Sequence, residues 1–216
     1  MNVLIMGAAG SGKGTMSTKI VEKYKISHIS TGEMFRAAIS AQNELGLKAK
    51  EFMDSGHLVP DEITIKMIQE RLLQEDCQKG YLLDGYPRTL VQAHAFEDIA
   101  NKIGRPVEAI INLTVQLDDL APRITGRRLC QNCGAIYHIT NFPSKIEGIC
   151  DKCGSPLVHR SDDTVEQLAV RLKEHVIQTK PVLDYYRKAG LVIDIDASRD
   201  ISLVWKDVDK ALEAYR

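Results

Sequence analysis

The sequence predicts a three-layer α/β fold of the P-loop kind, with helices on both faces of a parallel central sheet. Three observations predict it. Short apolar runs alternate with longer helix-period segments along the 216 residues. The first apolar run leads directly into a glycine-rich loop that opens a helix. One cysteine-bearing stretch, 129–157, interrupts the alternation and reads as an inserted minidomain.

Residues 3–6 (VLIM), 81–83 (YLL), 109–113 (AIINL) and 191–195 (LVIDI) are short apolar or β-branched runs beside glycine, proline or charge, and read as buried strands. Helical patterns fill 13–24, 32–42, 62–75, 90–103 and 165–188. Asp61 after Pro60 is expected as an N-cap, and Asp200 as the cap of the last helix. Gly56, Gly104 and Gly190 stand where a left-handed C-cap would stop a helix. Pro181 is expected to bend or interrupt the long 165–188 segment.

With 44% hydrophobic and 26% charged residues, and only 15 Gly and 7 Pro, the chain can bury a core; collagen-like and bulk-disordered classes are excluded. Its 28 basic and 29 acidic residues leave a net charge of −1. No protein-wide positive field exists to gather nucleic acid or anionic lipid, so neither is expected as a partner and any basic site is local. The longest apolar run, 3–10, is far short of the ~20 residues of a spanning helix. No basic stretch with an apolar h-region opens the chain, and a cytoplasmic location is expected.

The loop Gly7-Ala8-Ala9-Gly10-Ser11-Gly12-Lys13-Gly14-Thr15 carries the first chemistry. Glycines let successive N–H groups point inward, the helix N-terminus adds partial positive charge, and Lys13 supplies a mobile cation for the β and γ phosphates of a nucleotide. The alternative, a flexible strand-to-helix turn, sits poorly with the adjoining apolar strand. Gly14 follows the lysine and Thr15 comes one place later than in the G-x-x-x-x-G-K-[ST] pattern. Asp84, ending another apolar strand, is placed to hold magnesium directly or through water; a solvated loop aspartate is the alternative.

Of five cysteines, four form Cys130-x-x-Cys133 and Cys150-x-x-Cys153, separated by sixteen residues. Reduced thiols in this spacing match a tetrathiolate zinc site, with an iron–sulfur cluster or oxidised pairs as alternatives. Four thiolates leave no open position, so the metal would be structural, stapling a segment too small to own a core. Cys77 stands alone on a helical pattern and reads as packing.

Together GAAGSGKGT, STGEMFR at 30–36, DGYPRTLVQA at 84–93, GRR at 126–128, and HRSDD at 159–163 with Arg171 beyond resemble the adenylate kinases of the long type, whose lid carries a zinc-binding insert. The resemblance covers essentially the whole chain in order and spacing. Where the family's loop usually has proline, this sequence has Ala9. It implies a core of 1–30, 60–126 and 161–216, a helical monophosphate-binding arm at 31–59, and a zinc-stapled lid at 127–160. It also implies reversible transfer of the γ-phosphoryl group from MgATP to AMP, giving two ADP, and a monomer.

Residue by residue, the resemblance implies an AMP site of Thr31, Arg36, the backbone of His57, Leu58 and Val59, the run Gly85, Tyr86, Pro87, Arg88, and Gln92. Gln92 can read the adenine edge through its amide donor and acceptor. On the ATP side Gly10, Ser11, Gly12, Lys13, Gly14 and Thr15 hold phosphates, Arg123 and Arg127 reach them from the lid hinge, and Ile136 and Tyr137 lie near adenine. Arg160 and Arg171 clamp the transferring group and the AMP phosphate. At position 199 the family meets adenine through backbone; Arg199 stands there in this chain.

Phosphoryl transfer passes through a loose, charge-rich transition state, so catalysis rests on positioning and electrostatics, and arginine's planar fork suits paired phosphate oxygens. Lys13, Arg88, Arg123, Arg160 and Arg171 are the catalytic candidates; no general base is needed, because the acceptor is an ionised phosphate oxygen. Between 127 and 160, five basic residues face two acidic ones, and a tetrathiolate zinc would leave that segment only slightly positive, so direction matters more than bulk charge. Two rivals remain: a kinase for CMP, UMP or GMP, or one using GTP as donor, and a zinc-knuckle module whose loop hydrolyses ATP as a switch or contacts RNA. Gln92 and Thr31 favour AMP; the near-zero charge and the lack of an aromatic stacking motif weigh against the module.

Overall fold

The computed structural model describes Met1 to Arg216. Strand β1 (Asn2–Gly7) runs into helix α1 (Lys13–Tyr24), followed by β2 (Ser27–Ser30), α2 (Thr31–Ser40), α3 (Glu44–Asp54) and α4 (Asp61–Leu72). Next come β3 (Tyr81–Asp84), α5 (Leu90–Lys102), β4 (Ala109–Thr114) and α6 (Leu117–Thr125). The insert holds β5 (Arg127–Cys130), β6 (Ile136–His138) and β7 (Leu157–Val158). The chain ends with α7 (Val165–Glu174), a π-helical turn (His175–Thr179), α8 (Lys180–Lys188), β8 (Val192–Asp196) and α9 (Ile201–Leu212).

Five parallel strands form the central sheet in the order β2-β3-β1-β4-β8. Alternation along β1 explains the three layers. Leu4 and Met6 join the cluster that holds Phe96 of α5 and Tyr186 of α8, while Val3 and Ile5 join the one that holds Ile20 of α1 and Val208 of α9. The register pairs Ile5 with Asp84, so the glycine loop and the Asp84 carboxylate leave neighbouring strands side by side.

Strand β2 carries no apolar run to mark it: it is short and polar (SHIS), with Ile29 its only fully buried residue, and it lies at the sheet edge. Helix α6 was masked by Pro122 and two aspartates, and α3 by its mixed polarity. Gly56, Gly104 and Gly190 do adopt left-handed φ values of 78°, 68° and 73° at helix ends. Asp200 caps α9 by accepting from Ser202 N at 2.8 Å. Pro181 lies in the first turn of α8, directly after the π turn that breaks the 165–188 segment.

The Asp61 expectation is corrected. Pro60 occupies the N-cap of α4 and Asp61 is the first helical residue, its carboxylate directed to Thr89 and Gln92 rather than to its own helix.

A small cluster of Phe35, Ala49, Val59 and Met67 joins α2 and α3 to α4. The insert has its own three-stranded antiparallel sheet, β6-β5-β7, and a buried cluster of only Cys130, Tyr137 and Cys150. No helix is long and apolar enough to cross a membrane.

Candidate active site

The glycine loop ends at Gly12, whose φ of 95° places it at the N-cap of α1 with no side chain capping the helix, so first-turn amides stay open to a ligand. The Ser11 hydroxyl is buried without a partner. Lys13 Nζ folds back to donate to Gly7 O at 2.8 Å and Ala8 O at 2.9 Å. Burial brings its pKa down to about 8; Asp84 opposes the shift, and Arg88, Arg127 and Arg171 add to it. A Cβ at Gly14 would stand 2.6 Å from Ile136 Cδ1, the movable end of a side chain, because β6 of the insert lies over the loop.

Asp84 is buried at the end of β3, with His28 Nε2 3.8 Å from its Oδ2. Burial pushes this carboxyl up, but His28, Lys13 and Arg88 outweigh it and hold the pKa below the usual value. A buried, ionised carboxylate beside a phosphate loop fits the hard oxygen chemistry of magnesium.

One cavity of about 680 Å³ opens over these residues, and seven arginines and Lys13 line it. Arg127 is ion-paired with Asp163, and Arg171 with Asp162. Arg123 Nη1 donates to Ala197 O at 2.9 Å, and Arg199 is tied to Asp207 at the rim. Arg88 is gripped along its length: its Nε donates to Gly85 O at 2.7 Å, its N–H to Gln92 Oε1 at 2.7 Å, and its carbonyl accepts from Thr179 Oγ1 at 3.2 Å. Arg160 Nε is buried with no partner. Burial, with Arg127 and Arg36 alongside, lowers the Arg160 pKa to about 10 against the pull of Asp163 and Asp162. Burial likewise lowers Arg36 and Arg88.

Gly10, Ser11, Gly12, Lys13, Gly14, Thr15, Arg36, His57, Leu58, Asp84, Gly85, Tyr86, Pro87, Arg88, Arg123, Arg127, Ile136, Tyr137, Arg160, Arg171 and Arg199 all line this cavity. Three candidates stand behind its wall. Thr31 donates to Gly85 O at 3.0 Å, Val59 is packed in the α2–α4 cluster, and Gln92 is 2% exposed with its amide engaged by Asp61 and Arg88. His57 adds a side-chain contact that its sequence gave no hint of, Nδ1 lying 2.9 Å from Glu174 Oε1.

Residues outside the sequence reading also belong here. Asp162 and Asp163 stand in the HRSDD motif, and they pair with Arg171 and Arg127, 9 and 36 positions away. His175, on the π turn, lines the cavity; burial, with Lys13 and Arg88 near, lowers its pKa to about 4, so it adds no charge at neutral pH. Phe142 stacks on Tyr137, ring centroids 5.8 Å apart.

The four thiols Cys130, Cys133, Cys150 and Cys153 are free, and their Sγ atoms lie within 4.8 Å of one another. Cys130 and Cys153 approach to 3.4 Å and Cys133 and Cys150 to 3.5 Å, near the ~3.8 Å edge of a tetrahedron whose ligands sit about 2.3 Å from zinc. Tyr137 joins this corner to the cavity, its hydroxyl 3.5 Å from Cys150 Sγ and accepting from Asp151 N at 2.9 Å.

Residues 5–191 match the family model described as adenylate kinase. Among curated proteins, the chain is 51% identical over 209 residues to an adenylate kinase of Bacillus cytotoxicus, covering 97% of each chain. It is 50% identical over 216 residues to one of Lysinibacillus sphaericus, covering all of both. With one of Carboxydothermus hydrogenoformans it shares 50% identity over 213 residues, covering 99% of this chain and 100% of the other.

Proposed function

The chain belongs to the adenylate kinase family and moves a phosphoryl group reversibly from ATP to AMP, giving two ADP; from that premise we propose the part each residue plays. One observation carries the proposal: the guanidinium groups of Arg36, Arg88 and Arg160 meet no carboxylate around a single cavity, and the Nε of Arg160 is buried unpaired. Buried cations are costly without partners, so a cavity holding several of them is built for anions. Phosphates are the anions that a glycine loop, a helix N-terminus and paired guanidinium forks all favour.

The amides of Gly10 to Thr15 and the ammonium of Lys13 hold the ATP phosphates. Arg123 and Arg127 reach them from the hinge, Ile136, Tyr137 and Arg199 border the donor base, and Asp84 holds magnesium through water. When bound, that ion neutralises phosphate charge. Arg36 and Arg88 grip the AMP phosphate. Arg160 and Arg171 span the gap between the two nucleotides, relieving their repulsion and stabilising charge on the transferring group. Thr31, the 57–59 backbone, 85–88 and Gln92 shape the AMP side, Gln92 meeting the base once the arm makes room for it.

The arm at 31–59 and the lid at 127–160 act as two covers on the core at 1–30, 60–126 and 161–216. Their contacts support this: Gln167 Nε2 donates to Asp54 O at 2.5 Å, and Lys152 Nζ lies 3.3 Å from Glu22 Oε1. Closure excludes water, which otherwise competes with AMP as acceptor. The four cysteines hold zinc, and the protein works as a cytoplasmic monomer. The test is ADP formation from ATP with AMP, CMP, UMP or GMP: turnover with AMP alone is expected, and equal ATP consumption without any monophosphate would overturn the proposal.

A further inference from the structure

Gln92 lies in the first turn of α5, 2% exposed, so each end of its amide must be satisfied by the protein or by a ligand. Its Oε1 accepts from the Arg88 N–H at 2.7 Å, and its Nε2 donates to Asp61 Oδ1 at 2.8 Å. Both partners work in one direction only: a peptide N–H cannot accept, and a carboxylate cannot donate. Asp61 is held in turn, its Oδ2 accepting from Thr89 Oγ1 at 3.0 Å, while that same hydroxyl accepts from Gln92 N at 3.1 Å. The ring closes on itself and allows the amide one orientation.

That orientation decides chemistry. The edge of a 6-aminopurine presents an acceptor at N1 and a donor at N6, whereas a 6-oxopurine presents a donor at N1 and an acceptor at O6. A glutamine amide free to turn end for end would serve both, because its donor and acceptor exchange places. After the two internal bonds, one N–H and one oxygen lone pair remain uncommitted, and a fixed amide offers them in one order only. Of the two locks the carboxylate is the stronger, since hydrogen bonds to charged groups are about twice as strong as neutral ones.

We propose that Asp61 is a positioning residue that locks the Gln92 amide against flipping, and that this lock makes the monophosphate site select a 6-aminopurine over a 6-oxopurine nucleotide. The inference rests on the reading of Gln92 as the group that meets the base.

The experiment compares kcat/KM for AMP and IMP at saturating ATP in the full chain. IMP is the clean probe because it differs at the 6 position and lacks the extra amino group of GMP. Asp61→Asn supplies an amide that can face Gln92 with either its oxygen or its N–H, so the stronger lock is gone and the flip is opposed only by the neutral Arg88 N–H. The ratio of AMP to IMP is expected to fall by roughly 10- to 100-fold, the scale of one buried hydrogen bond lost to the wrong ligand, mainly through KM. Asp61→Ser, with the same expectation, serves if the asparagine variant does not fold. Equal loss with both nucleotides, or an unchanged ratio, would overturn the lock. Gln92→Leu separates the two layers. If it abolishes the preference while Asp61→Asn keeps it, only the lock fails; if it leaves the preference intact, the base is read elsewhere and the premise falls too.

Discussion

On the two faces of the central sheet, sixteen and fourteen buried residues gather, whereas the insert gathers three, two of them cysteines. The sheet is held by apolar burial, which scales with area and needs no particular partner. The insert, shorter than the ~40 residues below which a lone core usually fails, instead brings together four thiols that could hold a metal ion. If those thiols hold zinc, one chain uses two ways of staying folded, and the cavity lies where the two regions meet: Ile136 rests on Gly14, and Tyr137 touches both the cavity and Cys150.

Removing metal should break this contrast most visibly. A chelator is expected to abolish the transition of the insert while that of the sheet remains, since structural zinc contributes on the order of 10 kcal/mol to small sites. Calorimetry paired with metal analysis reads this; one unchanged melt in a zinc-free sample would put both regions on the same footing. Phe96→Ala tests the other side. It empties a fully buried position between Tyr81 and Tyr86, and is expected to cost about 3–5 kcal/mol in denaturant unfolding with the zinc content unchanged.

Lys13→Met should separate stability from chemistry. Turnover is expected to drop about 10²-fold, while the melting temperature holds or rises because a buried cation is gone. Near-normal turnover would remove Lys13 from its role.

The smallest effect is with pH. In the free enzyme Lys13 loses its proton above about pH 8, so kcat/KM for ATP should decline from there, while kcat persists to higher pH because bound phosphate holds the proton. The stability contribution has the opposite sign. Between about 8 and the ordinary lysine value of 10.5 the unfolded chain holds a proton that the folded one lacks, so this group favours folding more as pH rises through that window. A flat kcat/KM profile to pH 10 would dismiss the shifted lysine.

Much of the fold was legible along the chain. Lys13–Tyr24 was bounded correctly because its loop and its periodicity agree, and the cysteine spacing marked the insert. Strand β2 was not legible, since an edge strand needs few apolar residues, and α6 hid behind Pro122. Lys13 and the arginines that line the cavity stand in motifs legible along the chain. Thr31, Val59 and Gln92 are positioned behind the cavity wall, and His175 reaches it only through the π turn.

Alone, the sequence determined what is coded within a few residues: strand and helix periods, the phosphate-binding loop, the thiol spacing and the supply of guanidinium groups. Only the tertiary structure decided who pairs with whom. Arg127 finds Asp163 across 36 positions and Gln92 finds Asp61 across 31, and β6 comes down on Gly14 from the insert. The physical reason is range. Local pattern reflects bonds that repeat along the backbone, while hydrogen bonds and ion pairs act over a few ångströms and choose partners only once folding has brought distant segments together.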